Sequence, residues 1–303
     1  MTTPTPAVPL DDPRPAPAQD RPAREVVVGV DGSEVGLSAV RWAAREAVRR
    51  GAPLRILHAA PYLKHRRTSG ARPPELSAAR RIAAAAYTVA RHTDHDLQTT
   101  TEIVTDDPTT ALLRAAGDSQ LLVLGSSTTG AADELVLASV AVHVASRSPL
   151  PVIVVPRQRP DGADTRPAVA VLGVGDQADD EAVAAFAAEA AERFGVGLTL
   201  LQTRSSRHSV AGGWVDDPEE WRRRHPGLEI SRKNLPSARP DQLLGATCPA
   251  PLLVLSAGRG SLLHRALDGP HLWLLRHCTS PMALVPKTHR REQEPREEID
   301  ARG

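Results

Sequence analysis

An internal repeat constrains this chain more than any single motif. Sliding the sequence 144 positions along itself, without a gap, pairs Val27 with Val171, Gly29 with Gly173, Val30 with Val174, Ala43 with Ala187, Ala44 with Ala188 and Ala47 with Ala191. The same offset pairs Arg49 with Arg193, Gly51 with Gly195, Leu54 with Leu198 and Leu57 with Leu201. Ten identities in about thirty positions exceed what abundant alanine supplies by chance. Further on, the offset falls to 131 and then 130, pairing Leu121–Leu124 with Leu252–Leu255 and Pro151 with Pro281. The second copy is therefore about 14 residues shorter in its middle. A repeat of this period describes two copies of one domain. Length agrees, because 303 residues exceed what a single core of about 250 to 300 usually fills.

Within the first copy the pattern alternates. Glu25 to Asp31 is a β-branched run that reads as a buried parallel strand ending on an acid. A helix follows: Ser33 caps it, Leu37, Val40, Ala44, Ala47 and Val48 recur at helical spacing, and Gly51 stops it behind Arg49 and Arg50. Leu54 to Ala59 is the next strand, which makes a right-handed βαβ unit. Beyond it the reading places a helix over Pro74 to Arg91, a strand near Leu97 to Val104, a helix from Thr109 to Ala116 and a strand at Leu121 to Leu124. A small-residue loop, a helix near Ser139 to Ser146 and a strand at Val152 to Val155 complete the copy. In the second copy, Val183, Phe186, Ala187, Ala190 and Phe194 share one helix face, and Pro226 ends a short helix around Pro218 to Arg224. The fold class expected is α/β, with two tandem open five-stranded parallel-sheet domains carrying helices on both faces.

The chain divides accordingly into a Pro-rich tail (1–24, with seven of the 27 prolines), domain 1 (25–156), a linker (157–167), a shortened domain 2 (168–286) and a charged tail (287–303). Composition narrows the partners. A 41 % hydrophobic fraction fills a core, and with 3 % aromatic residues that core is built from Ala, Val, Leu and Ile. A net charge of +1 argues against nucleic acid or an anionic membrane. With no apolar run of about 20 residues and no apolar leader, the expected location is the cytoplasm. Cys248 and Cys278 lack CxxC spacing and read as small buried hydrophobes rather than as a disulfide, redox or zinc motif.

Val-Val-Val-Gly-Val-Asp-Gly-Ser at 26–33, Ala-Val-Arg-Trp-Ala-Ala-Arg-Glu-Ala at 39–47, Leu-His-Ala at 57–59 and the closing Pro-Val-Ile-Val-Val together resemble the universal stress protein (UspA-like) family, in its tandem two-domain form. The resemblance covers 25–156 well and 168–286 more faintly. It implies an adenine-nucleotide-binding fold and a stress-response regulator. Members that bind ATP carry a G-x2-G-x9-G-[ST] loop, where glycines let the main chain approach an anion and a helix start supplies free N–H groups. Here the loop runs from Gly125 to Ser139, with Thr128 and Ala138 at the second and third glycine positions and Gly130 two places on. If both positions need a glycine-only conformation, about 1 to 2 kcal/mol is lost at each. That moves a micromolar site towards millimolar, since about 1.4 kcal/mol is tenfold. If they serve close approach only, the added methyls reshape the pocket.

Carried over by resemblance, Asp31 faces the adenosine, Ala59 offers backbone to the base, and Gly125, Ser127, Thr128, Gly130, Ala138, Ser139 and Val140 surround ribose and phosphates. Second readings stand beside these. Asp31 and Ser139 also suit helix caps, and Gly125 and Gly130 suit ordinary turns. ATP is the implied ligand, with magnesium only as its companion. In the second copy Gly175 stands where Asp31 does and Pro270 replaces the hydroxyl residue, so a structural or partner-binding role is expected there.

No catalytic constellation emerges, and the expectation is a protein without turnover, with slow ATP hydrolysis as the enzymatic alternative. His92 to Asp96 lacks HExxH spacing and reads as a solvated patch. There is no GxSxG or GK[ST] element, and lysine occurs only at 64, 233 and 287. Trp214 and Trp221 read as packing residues. The last strands, Val152 to Val155 and Met282 to Val285, suit pairing within the chain as a pseudo-dimer, with homodimerisation a weaker expectation. The alternative function is a nucleotide-independent interaction or scaffold module.

Overall fold

Val26, Val27 and Val28 are fully buried, so both faces of their strand are covered by other elements. In the computed structural model, which describes residues 24–65, 74–126, 134–157, 166–172, 177–203, 218–236, 239–257, 274–275 and 277–286, this strand is β1 (Glu25–Gly29). It is followed by α1 (Glu34–Arg50), β2 (Leu54–Ala59), α2 (Pro74–Thr93), β3 (Thr99–Val104), α3 (Pro108–Ala116), β4 (Ser119–Ser126), α4 (Glu134–Arg147) and β5 (Val152–Pro156). The second copy supplies β6 (Ala168–Leu172), α5 (Gln177–Phe194), β7 (Leu198–Thr203), α6 (Pro218–Arg224), β8 (Ile230–Leu235), α7 (Pro240–Thr247), β9 (Leu253–Ser256) and β10 (Met282–Val285). Both expected tails lie outside the described residues, apart from Arg24.

The repeat appears in the backbone. α1 and α5 are each closed by a glycine in the left-handed region, Gly51 at φ 60° and Gly195 at φ 67°, where other residues are strained. β7 begins and ends 144 positions after β2. Strand order is β3-β2-β1-β4-β5 in the first half and β8-β7-β6-β9-β10 in the second, every neighbouring pair within a half being parallel. The halves join edge to edge where β5 and β10 pair antiparallel, with Ile153 opposite Ala283, into one ten-stranded sheet.

Polarity explains which edges join. β5 and β10 are buried along their whole length, and left open they would be apolar, aggregation-prone edges. The outer edges differ. Thr100, Thr101 and Glu102 on β3, and Ser231, Arg232, Lys233 and Asn234 on β8, are exposed and polar. On one face of the sheet Val26, Val28, Leu54 and Ile56 meet buried alanines of α1, α2 and α5. On the other, Val27, Leu57, Leu122 and Leu124 meet α3, α4 and α7. Alanine-rich helices lie close to such a sheet, which accounts for the scarcity of aromatic residues. Trp221 is buried in the core of the second half, and Trp214 lies outside the described residues.

Two expectations need correction. Cys248 and Cys278 form a disulfide, with Cα atoms 6.0 Å apart. Each precedes one of the adjacent strands β9 and β10, so strand pairing brings together residues 30 positions apart. The helix expected near Ser139 starts five residues earlier, at Glu134. Ser139 is therefore inside α4 and is not its N-cap. The His92 to Asp96 run is the end of α2 and a turn, in which Asp94 Oδ1 accepts from the backbone N–H groups of Asp96 and Leu97.

Candidate functional site

Strand order reverses direction between β1 and β4: from β1 the chain goes outward through β2 to β3, then returns to place β4 on β1's other side. Crossovers from the two directions put α1 and α2 on one face of the sheet and α3 and α4 on the other. A crevice is left at the carboxyl ends of the strands, which is where open parallel sheets bind ligands. A cavity of about 320 Å³ occupies that place. The ends of β1, β2 and β4 contribute Gly29, Val30, Leu57, His58, Ala59, Leu124 and Gly125, and the surrounding helices contribute Ile82, Pro108, Leu112, Val140 and Ala141. A wider groove of about 1100 Å³, with Arg24, Asp94 and Asp118 in its wall, lies at the opposite ends of the strands. That end of a parallel sheet is not the one that holds ligands.

Asp31, Ser33 and Gly36 close one side of the cavity. Asp31 Oδ1 accepts from Ser33 N–H at 2.9 Å and from Ser33 Oγ at 2.7 Å, while Ser33 Oγ caps α1 by accepting from Gly36 N–H at 3.0 Å. Asp31 thus fixes the cap residue while its exposed side chain lines the cavity. Gly125 is required for close approach and not for a special dihedral. A Cβ added there would lie 2.9 Å from the backbone carbon and oxygen of Val35, so β4 and the first turn of α1 touch at this point. Behind Pro108, Asp107 caps α3 by accepting from Thr110 N–H at 3.0 Å. The Thr110 hydroxyl and N–H hold the Asp107 carboxyl below the ordinary carboxylate value.

Of the site residues read from the sequence, Asp31, Ala59, Gly125 and Val140 all fall on the cavity wall. Ser127, Thr128 and Gly130 lie outside the described residues, and Ala138 and Ser139 belong to α4 with only their backbone described. Val30, His58, Tyr62, Ile82 and Leu112 were not anticipated. The signal for His58 was available, since it is a polar residue next to the carboxyl end of β2, directly after the apolar pair Ile56 and Leu57. The lining is mostly aliphatic, and its polar side chains among the described residues are Asp31, Ser33, His58 and Tyr62, with no Lys or Arg. Such a wall suits a flat, mainly apolar group anchored by a few hydrogen bonds. No group of three or more His, Cys, Asp or Glu residues suited to a metal occurs among the described residues, and no helix of theirs is long and apolar enough to cross a membrane.

A doubly wound parallel sheet with a cavity at its switch point defines an α/β protein of the Rossmann-like class. Residues 22–156 match the model of the Universal stress protein family, so the first half of the chain carries a domain of that family. A universal stress protein of Mycobacterium tuberculosis is 27 % identical over 270 residues, covering 81 % of this chain and 91 % of that protein. One from Mycolicibacterium smegmatis is 27 % identical over 288 residues, covering 86 % and 96 %. The crystal structure of a universal stress protein from Archaeoglobus fulgidus shares the fold, with a TM-score of 0.64 at 14 % identity over 88 % of this chain and 97 % of that one.

Proposed function

We propose that the first half of the chain binds an adenine nucleotide in the cavity at the β1–β4 switch, and that the protein serves as a cytoplasmic stress-response regulator without catalytic turnover. The observation that carries this reading is the convergence of Asp31, Ala59, Gly125 and Val140, distant in sequence, on one aliphatic cavity. ATP is the ligand tested first, with magnesium following its phosphates. The second half is the structural or partner-binding copy. At offset 144 it has Gly175, Gln177 and Gln202 in place of Asp31, Ser33 and His58. Antiparallel pairing of β5 with β10 supports reading the chain as an intrachain pseudo-dimer, and a homodimer would need a further surface.

Calorimetry with ATP on the purified chain tests the reading. The expected result is a single site of micromolar to millimolar affinity that weakens several-fold in Asp31→Ala. Absence of binding heat at millimolar ATP, together with no co-purified nucleotide, overturns it. A second reading, a nucleotide-independent interaction module, is favoured by Thr128 and Ala138 standing where the family's ATP-binding loop has glycines. It requires partners that stay bound when Asp31 is replaced.

A further inference from the structure

One residue of the cavity wall carries a buried polar atom without a hydrogen-bond partner among the described residues. His58 lines the cavity and is only 5 % exposed. Its Nδ1 lies 2.8 Å from the Val30 carbonyl oxygen. A carbonyl only accepts, so Nδ1 carries the proton and, in the neutral ring, Nε2 is left as an acceptor. Nε2 is buried and has no hydrogen-bond partner among the described residues. A buried acceptor left unmatched is unfavourable, so a ligand that brings a donor to it gains a bond and removes that defect.

The surroundings restrict the donor's chemistry. Val30, Leu57, Ala59 and Ile82 line the same cavity, and the exposed carboxylate of Asp31 lies on its wall. Aliphatic walls disfavour a charged donor at this point of the cavity. What fits is a neutral, flat ring with an N–H group on its edge.

We propose that His58 is a specificity-determining residue of this cavity, its Nε2 accepting a hydrogen bond from an amino group on the ligand's heterocyclic base. This rests on the nucleotide-binding reading above and adds the atom that reads the base. The residue 144 positions on is Gln202, which is exposed, so the selecting ring belongs to the first half alone.

The test compares adenosine with purine riboside, which is adenosine without its 6-amino group, by calorimetry on the full chain and on its His58→Phe and His58→Gln variants. The wild-type chain is expected to prefer adenosine by about tenfold, the equivalent of one well-made hydrogen bond. In His58→Phe the preference falls below about twofold. In His58→Gln, whose amide both donates and accepts, about threefold or more is retained. Equal affinity of the wild-type chain for the two nucleosides overturns the inference while leaving the nucleotide site standing, and so does an undiminished preference in His58→Phe. If neither nucleoside nor ATP binds the wild-type chain, both readings fall.

Discussion

Glu46 Oε1 accepts from Arg193 Nε at 3.3 Å, an ion pair across 147 positions that ties α1 of the first half to α5 of the second. The same oxygen accepts from Arg50 Nε at 2.7 Å, and Oε2 lies 3.8 Å from Arg49. A carboxylate 1 % exposed thus serves three guanidinium groups. Two of these also face rings of α5: Arg49 stands 4.6 Å from the centre of Phe194 and Arg50 6.0 Å from that of Phe186. Desolvation, chiefly, pulls Arg49 and Arg193 below the ordinary guanidinium value, and Glu46 opposes it in both.

Removing that carboxylate leaves clustered cations at the junction of the halves. Breaking a buried ion pair from one side costs about 3 to 5 kcal/mol. Partial exposure lets the arginines relax, so Glu46→Gln is expected to lose about 2 to 3 kcal/mol in urea unfolding. Arg193→Met, which leaves Glu46 paired with Arg50, is expected to lose about 1 kcal/mol or less. Equal losses from the two variants would remove Glu46 from the centre of the network.

What was legible in the sequence and what was not divides along local and non-local causes. β2 was readable as Leu54 to Ala59 because Leu54, Ile56 and Leu57 follow just beyond a helix-stopping glycine, and both signals are local. Asp31, Ala59, Gly125 and Val140 were readable because strand ends and helix starts in a parallel sheet converge on one crevice. The start of α4 at Glu134 departs from the loop pattern, which favours a start at Ser139, although Asp133 and Glu134 carry the acidic signal of a helix start. The Cys248–Cys278 bond, the setting of Glu46 and the bond from His58 Nδ1 to Val30 are made by strands or helices that meet only after folding. Spacing along the chain carries no trace of them.

Gly125→Ala separates close approach from conformational freedom. The new methyl group would meet Val35 backbone at 2.9 Å, and backbone cannot rotate away. A loss of about 2 kcal/mol is expected, with narrowing of the cavity. At Gly29 the nearest atoms are the tips of Leu124 at 2.7 Å and Leu112 at 3.0 Å, which can turn aside, so Gly29→Ala is expected to cost about 1 kcal/mol or less. Thermal unfolding of the two variants side by side checks the order, and the reverse order contradicts the argument.

Asp107 gives the first half an acid-sensitive cap. Its carboxyl is lowered first by the Thr110 hydroxyl and then by the Thr110 N–H, so the folded state favours the charged form. That contribution is complete above the unfolded carboxylate value of about 4 and is lost as pH falls through the lower folded value. Asp107→Ala is expected to cost about 1 kcal/mol at neutral pH, as removal of a helix cap does. Asp107→Asn keeps an accepting oxygen and costs less. The gap between wild type and Asp107→Asn should close as pH drops below about 4, and urea unfolding that shows a gap independent of pH would refute the charge's role.

The Cys248–Cys278 bond closes a loop of 30 residues that contains all of β9 and ends just before β10, the strand through which the halves join. Cross-linking a loop of that size restricts the unfolded chain and is worth about 3 to 4 kcal/mol by chain entropy. The chain purified without reductant is therefore expected to show no free thiol after unfolding. Addition of reductant should lower its urea midpoint, and replacing both cysteines by alanine should reproduce most of that drop. A midpoint unmoved by reductant, with two thiols newly titratable, would mean that β9 and β10 hold their register without the cross-link.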